Sequence, residues 1–313
     1  MKKLVSITTS CWNEVENIPE FYNRCLKVME QFPQYDVEFI VSDNLSTDGT
    51  RDVLREIAAK DPRFKVIFNA NNFGHIRSPY NAFCSASGDA VIALCSDLQE
   101  PPEVIAEFLK KWESGCKVVA GVREGTDSSR LLEFFRSVYY YSLKKLSPGQ
   151  TTISKFTGFG LYDRVAVEAL KRFQEPYPYF RGMVSEIGFR QGIVLFHQDA
   201  RKNGKSKNNF FTLYDIAMTG IVNYSKLPLR LAAFSGFILA FFSFIVAMVY
   251  LVLKLLYWNT FKFGLAPLMI GMFFFGSVQL IFIGLLGEYI GAIWTHVKNR
   301  PLVIEEERLN FDK

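Results

Sequence analysis

Apolar and polar residues form two alternating patterns along the first part of the chain. Short apolar runs, typical of strands buried on both faces of a sheet, occur at 4–9, 37–41, 64–68, 90–94 and 118–122. Apolar residues at helical spacing predict helices over 15–32 and 46–60, after the Asn-rich turn at 69–74 as far as Ala86, and after Pro102. Strands that alternate with helices predict an α/β fold with a doubly wound, mostly parallel sheet.

The regular alternation ends after Arg123. The later patterns predict helices over 130–146, 165–173 and 179–190, and strands over 156–162 and 193–197. The first of these helices is basic and aromatic. The polar segment RKNGKSKNN at 201–209 predicts a mobile loop.

Two long uncharged apolar stretches follow, Leu231–Leu253 and Phe263–Gly287. Each exceeds the roughly 20 residues that a helix needs to cross a bilayer, so we predict two transmembrane helices. Basic residues flank them on the outer sides: Lys226 and Arg230, then His296, Lys298 and Arg300. With a large N-terminal domain that has no signal peptide, these flanks predict a multi-pass protein of the inner (plasma) membrane, with both ends cytoplasmic.

The stretch Phe210–Ser225 has apolar residues at helical spacing just before the first span. It is either an amphipathic helix in the membrane interface or a helix packed on the core. The predicted organisation is a cytoplasmic domain over 1–209, an interfacial helix over 210–228, two transmembrane helices over 229–295 and a cytoplasmic tail over 296–313. The small residues Gly287 and Gly291 would permit close helix packing, and through it a homo-oligomer.

Composition narrows the class of protein. The chain is 49% hydrophobic, with the excess in the two apolar stretches, and carries a net charge of +5. That charge fits a phosphate-bearing partner or an anionic membrane surface without requiring one, and we expect no nucleic-acid partner. Five cysteines without a CxxC pair and three scattered histidines exclude a zinc site by spacing and indicate a reducing compartment.

The strongest indication of a site lies in Gly88–Glu103. The apolar run Ala90–Leu94 leads directly to Asp97, and Pro101 then interrupts the chain. Ligands of open α/β sheets bind beyond the carboxyl ends of the strands, where a carboxylate is suited to hold a hard divalent cation against phosphate oxygens. Asp97 is therefore a candidate metal ligand, with capping of the following helix as the alternative.

Several motifs together resemble glycosyltransferase family 2, in particular the membrane-anchored polyprenyl-phosphate glycosyltransferases, a group that includes dolichol-phosphate mannose synthase. The motifs are Trp12-Asn13-Glu14, Ser42–Thr50, Asn72-Phe73-Gly74, Asp97–Glu103, Arg201 with Gly204–Lys207, and Pro228-Leu229-Arg230. Each is weak alone, but they occur in the family's order over residues 1–310. The resemblance implies a GT-A fold and a nucleotide-sugar donor.

The resemblance also implies donor-binding residues: Glu14, Asp43, Asp97, Arg201 and Lys207. Asp97 would carry the Mg²⁺ or Mn²⁺ ion. Alternatives remain for the other four. Glu14 would cap the first helix, Asp43 would form a turn, and the basic pair would be solvated surface charges.

The acceptor would be held by arginines. Arg123, Arg130 and Arg136 are the candidates to bind the lipid phosphate, and Asp97 and Arg123 are the expected catalytic groups. A polyprenyl phosphate is already largely ionised near neutral pH, because its second pKa is about 6, so no base is required. If a base acts, Glu186 is the candidate, with a surface helix position as its alternative.

The chain departs from the family pattern twice. Cys95 takes the first position of the usual Asp-x-Asp metal motif, and a thiol is a poor ligand for hard cations. The segment Thr157–Asp163 lacks an acid and an arginine that many relatives carry, which puts a conventional base in doubt.

The predicted function is inverting transfer of a hexose, glucose from a UDP-linked donor, to polyprenyl phosphate at the cytoplasmic membrane face. The product would be a lipid-linked sugar for envelope glycan modification. Two alternatives stay open. A processive polysaccharide synthase would carry a Gln-x-x-Arg-Trp motif and more spans, and a nucleotide-binding membrane scaffold would lack turnover.

Overall fold

The structure is a computed structural model that describes residues 2–124, 156–197, 218, 222, 226–257 and 265–311. It divides into two compact units, one made of 1–209 with 298–313 and the other of 210–297. The predicted segments 130–146 and 201–209 lie outside the described residues. So does the predicted helix 210–225, apart from Met218 and Val222, which are both helical.

The first unit is built on one eight-stranded sheet with the order β7-β5-β6-β4-β1-β2-β3-β8. Its strands are β1 (Lys3–Cys11), β2 (Tyr35–Asp43), β3 (Phe64–Asn69), β4 (Ala90–Ala93), β5 (Val118–Arg123), β6 (Phe156–Asp163), β7 (Gln191–Phe196) and β8 (Glu305–Leu309). Its described helices are α1 (Asn17–Met29), α2 (Thr50–Lys60), α3 (Gly74–Cys84), α4 (Ile105–Glu113), α5 (Arg164–Lys171) and α6 (Phe180–Glu186).

The sheet is mostly parallel, as predicted. β1 pairs in parallel with β2 and β4, β2 with β3, and β5 with β7. β6 runs antiparallel between β4 and β5, and β8 runs antiparallel along β3. The apolar runs of β1 to β5 form these strands because parallel strands are covered on both faces.

Helices cover the sheet on both faces. On one face, Phe21 of α1 and Phe108 of α4 pack in the main core with Ile7 of β1. On the other face, Phe83 of α3 and Phe180 of α6 meet edge to face, with ring centroids 5.1 Å apart. Burial of these large rings holds the helices against the sheet.

β6 approaches β5 closely because glycines replace side chains between them. A Cβ atom at Gly160 would lie 2.2 Å from the Val119 carbonyl oxygen, and one at Gly121 would lie 2.4 Å from the Phe159 ring. A larger residue at Gly160 would require the backbone to shift, and one at Gly121 would require the Phe159 ring to move. The segment that departs from the family pattern is therefore a packed strand at the centre of the sheet.

The second unit contains two helices that are long and apolar enough to cross a membrane, α7 (Leu227–Leu256) and α8 (Leu265–Val297). Both are longer than the predicted spans. α7 has no buried residue, and neither does the most apolar part of α8. These helices therefore lack the burial that a core helix of a soluble protein has.

Candidate active site

The carboxyl ends of the central strands meet at one edge of the sheet. β1, β2, β3 and β4 are parallel, so the segments that follow Cys11, Asp43, Asn69 and Ala93 lie at the same edge. β5 is parallel to β4 as well, because each pairs antiparallel with β6. Arg123, the last residue of β5, thus lies at the edge that carries the Asp97 loop. We call this the carboxyl edge.

The loops after β1 and β2 are locked together by hydrogen bonds. The Asn13 N–H donates to Ser46 Oγ at 2.9 Å, and the Thr47 N–H donates back to Asn13 Oδ1 at 2.9 Å. The Glu14 N–H donates to Thr50 Oγ1 at 2.9 Å. Because each loop satisfies backbone groups of the other, the two loops form one surface.

Glu14 lies half-buried at the start of α1. Its carbonyl oxygen accepts hydrogen bonds from the N–H groups of Asn17 and Ile18, both at 3.1 Å, and its carboxylate accepts from the Asn17 side chain. These contacts form the turn before α1, whose N-cap is Glu16 without a side-chain cap, so they do not match the helix-capping alternative for Glu14. A nucleotide contact at Glu14 stays a prediction.

Asp43, the last residue of β2, is fully buried. Its carboxylate accepts hydrogen bonds from the Ser46 N–H, at 3.2 and 3.4 Å, and from Arg51 Nε at 2.8 Å. The Ser46 contact is the one expected if Asp43 forms a turn, which was the alternative to nucleotide binding. Because the carboxylate has no exposed surface here, its contacts support the loop from beneath.

Beneath the β2–α2 loop lies a buried polar cluster that the sequence analysis did not find. Asn69 Nδ2 lies 3.1 Å from Ser42 Oγ, 3.1 Å from Asn44 Oδ1 and 3.0 Å from Ser78 Oγ. Asn44 Oδ1 also accepts the Phe73 N–H at 3.3 Å. This cluster joins the ends of β2 and β3 to α3. Polar residues at the ends of two consecutive strands were the sequence feature that could have predicted it.

Asp97 lies half-buried in the loop after β4, where its Oδ1 accepts the Gln99 N–H at 3.3 Å. It does not cap the following helix. That helix opens with a 3-10 turn whose N-cap is Pro101, and α4 itself has Val104 as its N-cap, with no side-chain cap in either case. The capping alternative is therefore excluded for this structure.

Glu100 is a second carboxylate of the Asp97 loop. It lies within the motif Asp97–Glu103, but the sequence alone suggested no role for it. It is buried, and its Oε2 accepts the Cys95 N–H at 3.2 Å. Cys95 itself is exposed. Within the described part of the chain, no group of three or more His, Cys, Asp and Glu residues could hold a metal ion. A divalent ion here would need donor phosphates and water beside Asp97.

Arg123 lies half-buried at the end of β5. Its Nε atom is buried and has no hydrogen-bond partner among the described residues. The pairing of β4 and β5 with β6 places it at the same edge of the sheet as the Asp97 loop. A buried N–H without a partner is unfavourable until an anion accepts from it, and this makes Arg123 suited to bind a phosphate.

The remaining predicted site residues are separate from this group or outside the described part. Glu186 lies at the end of α6 and its side chain is exposed, in agreement with the alternative of a surface helix position. Four basic residues lie outside the described residues: Arg130, Arg136, Arg201 and Lys207. The described site therefore contains Glu14, Asp43, Asp97 and Arg123.

Comparisons with known proteins identify relatives along nearly the whole chain. Residues 6–171 match the family Glycosyl transferase family 2. The chain is 33% identical over 310 residues to a protein of Bacillus subtilis (strain 168) named uncharacterized glycosyltransferase YkcC, a match that covers 98% of this chain and 94% of the relative. It is 32% identical over 300 residues to the SfII prophage-derived bactoprenol glucosyl transferase of Shigella flexneri, with 96% of each chain covered.

Among solved structures, mannosyl-3-phosphoglycerate synthase from Rubrobacter xylanophilus aligns with a TM-score of 0.49 and 15% identity. The alignment covers 73% of this chain and 74% of that one.

Proposed function

Since the chain belongs to glycosyltransferase family 2, we propose that it transfers glucose from UDP-glucose to a polyprenyl phosphate at the cytoplasmic membrane face, with inversion at the sugar carbon. The observation that carries the proposal is that Asp97 and Arg123 lie at the same edge of the sheet. Asp97 is a carboxylate suited to a cation, and Arg123 has a buried Nε–H, without a partner among the described residues, that is suited to a phosphate.

The acceptor is inferred from the relatives and from the second unit. The Shigella flexneri relative, a bactoprenol glucosyl transferase, aligns over 96% of its length, which includes the region of the two apolar helices. Helices of membrane-crossing length suit an enzyme whose acceptor is a membrane lipid. The product would be a lipid-linked glucose for envelope glycans, and the spans would let protomers associate.

The donor would lie on the loops after β1, β2 and β4. The locked Asn13 and Ser46 loops offer a fixed surface for the nucleoside, with Glu14 at its rim and Asp43 holding it from beneath. Asp97 would hold a Mg²⁺ or Mn²⁺ ion, which when bound neutralises charge on the departing diphosphate. Arg201 and Lys207 are proposed to bind the same diphosphate.

The acceptor phosphate would be held by Arg123, together with Arg130 and Arg136. The Arg123 Nε–H, which has no partner within the described part of the chain, would donate to a phosphate oxygen and orient the ion toward the glucose. A second phosphate oxygen attacks the sugar carbon, and the bond to the nucleoside diphosphate breaks on the opposite side. The attacking group is already ionised, because its pKa is about 6, so the exposed Glu186 is not needed as a base.

The test is turnover by the purified full chain in detergent, with polyprenyl phosphate and a panel of radiolabelled nucleotide sugars. We expect a glycolipid from UDP-glucose in Mg²⁺ or Mn²⁺ and none in EDTA, with a β-linked sugar by NMR. If no donor yields a glycolipid, the enzyme proposal fails. Nucleotide binding without turnover would then favour the membrane scaffold, which the exposed Cys95 at the metal motif keeps as the second candidate.

A further inference from the structure

We propose that the C-terminal strand β8 is a positioning element of the donor site, in which Glu306 acts through Arg51 to hold Asp43 and the β2–α2 loop. This inference rests on the proposed function, since it concerns the same nucleotide site. It assigns a role in donor binding to residues that follow the last apolar helix.

β8 reaches the carboxyl edge through its pairing with β3. The register places Leu309 opposite Val66 and Glu307 opposite Phe68, and it shifts between Phe68 and Asn69. The Ala70 N–H then donates to the Ile304 carbonyl oxygen at 2.9 Å, beyond the end of β3. The strand therefore enters the sheet at the edge where the proposed donor loops lie.

Arg51, in the first turn of α2, joins three segments through three different nitrogens. Its Nε donates to Asp43 Oδ2 at 2.8 Å, its Nη1 to Glu306 Oε2 at 3.0 Å, and its Nη2 to the Asn69 carbonyl oxygen at 2.8 Å. The guanidinium also lies 5.1 Å from the centre of the Phe68 ring. A planar group held at three corners has one orientation, and that orientation sets where the Asp43 carboxylate lies.

The β2–α2 loop depends on that carboxylate. Asp43 is fully buried, so its charge requires a cationic partner, and Arg51 pairs with it. The same carboxylate accepts the Ser46 N–H, and Ser46 Oγ accepts the Asn13 N–H. A change at Glu306 is therefore transmitted to both loops of the proposed nucleotide site.

Glu307 supplies the matched control on the same strand. Its carboxylate binds Arg55 in two contacts, at 3.0 and 2.6 Å, and Arg55 lies 4.4 Å from the centre of the Phe68 ring. Glu306 and Glu307 thus both anchor β8 to arginines of α2. Of the two arginines, Arg51 is the one that contacts Asp43.

The experiment compares E306Q with E307Q in the full chain, by titration with UDP, by donor kinetics and by unfolding temperature. For E306Q we expect the UDP Kd and the donor KM to rise about two- to fivefold with kcat nearly unchanged, because Arg51 loses its exposed partner but keeps its bonds to Asp43 and Asn69. For E307Q we expect a rise below about twofold. R51K should weaken UDP binding more than R55K, because an ammonium group cannot bridge three corners.

Two results would overturn the inference. One is equal weakening of UDP binding by E306Q and E307Q, and the other is a lower unfolding temperature in E306Q with an unchanged Kd. Either would make β8 a structural strand only. UDP titration does not depend on turnover, so a split between the two variants without glycolipid formation would retain the inference while the proposed transferase activity failed.

Discussion

Glu38 at the amino edge of the sheet and Arg123 at the carboxyl edge differ in how far their buried polar atoms are hydrogen-bonded. At the amino edge, near the starts of β3 and β4, the buried Glu38 carboxylate accepts from Lys65 Nζ at 2.7 Å, from the Ser87 N–H at 2.8 Å and from Ser6 Oγ. At the carboxyl edge, the buried Arg123 Nε has no partner among the described residues. A completed set of contacts stabilises a fold, whereas an incomplete set is suited to a ligand.

The backbone differs in the same way. Six non-glycine residues in the described part have positive φ, and three of them follow strands at the carboxyl edge. They are Asn13, Leu45 and Leu98, at φ of 57°, 58° and 58°. The left-handed conformation costs an L-residue roughly 1–2 kcal/mol, and such strain is concentrated at functional sites. The contrast therefore separates an edge built for stability from one shaped for binding.

The largest expected effect is a loss of transfer activity on substitution of Asp97 at the carboxyl edge. Asp97→Asn removes the charge that would hold the cation, so we expect transfer to fall by more than about 100-fold while the unfolding temperature changes little. The measurement is glycolipid formation under saturating donor. Cys95→Ser is the control and should retain activity, because the thiol is not a ligand for a hard cation.

Wild-type-like activity in Asp97→Asn would remove this residue from the metal role. A collapse of activity in Cys95→Ser, without misfolding, would instead mean that the thiol takes part in catalysis.

At the amino edge we expect a substitution to lower stability and leave transfer activity unchanged. Glu38→Gln leaves Lys65 without its carboxylate, and breaking a buried pair costs about 3 kcal/mol of unfolding free energy. Transfer per folded molecule should not change, because Glu38 is remote from the carboxyl edge. The measurement is denaturant unfolding of the full chain. Glu103→Gln, in the exposed pair with Arg24, is the control and should cost less than about 1 kcal/mol.

The sequence predicted the parts of the fold that depend on local patterns. The run Ala90–Leu94 and the proline break after it identified β4 and the Asp97 loop, because a short apolar run ending in an acid and a proline has few other interpretations. The parallel direction of β1 to β5 followed from their alternation with helices. These features need only neighbouring residues to specify them.

β8 was not predicted, because EEERL has no apolar alternation that marks a strand. It is held by pairs such as Arg55 with Glu307, which lie far apart in the chain. The burial of Asp43 was missed for the same reason. Its partner Arg51 is a helix residue that also pairs with Glu306, more than 250 positions further along the chain. Contacts of this kind join residues far apart in the chain, so no local sequence pattern predicts them.

Acid stability should be controlled from the amino edge. Asp61, between α2 and β3, is hydrogen-bonded by Arg63 and Tyr22. Although burial opposes ionisation, these bonds lower the pKa of Asp61 from 3.8 to about 2. A lowered pKa in the folded state means that this stabilisation is complete above about pH 4 and is lost as the pH falls through about 2.

Asp61→Asn should therefore lower the unfolding temperature at pH 5 and abolish part of its decline between about pH 4 and pH 2. Unfolding scans of wild type and variant across this range provide the measurement. Parallel curves for the two proteins would show that Asp61 does not contribute to acid stability.

The smallest expected effect returns to the strained carboxyl edge, where Leu45 and Leu98 share a left-handed backbone but differ in burial. Leu45 is 38% exposed and Leu98 is 3% exposed. Asparagine adopts this conformation more readily than leucine, so Leu45→Asn should raise the unfolding free energy by about 0.5–1 kcal/mol. Leu98→Asn should lower it, because the loss of a buried apolar side chain exceeds the relief of strain. Stabilisation by both substitutions would mean that strain dominates at this edge, and destabilisation by both would mean that the left-handed leucines carry little strain.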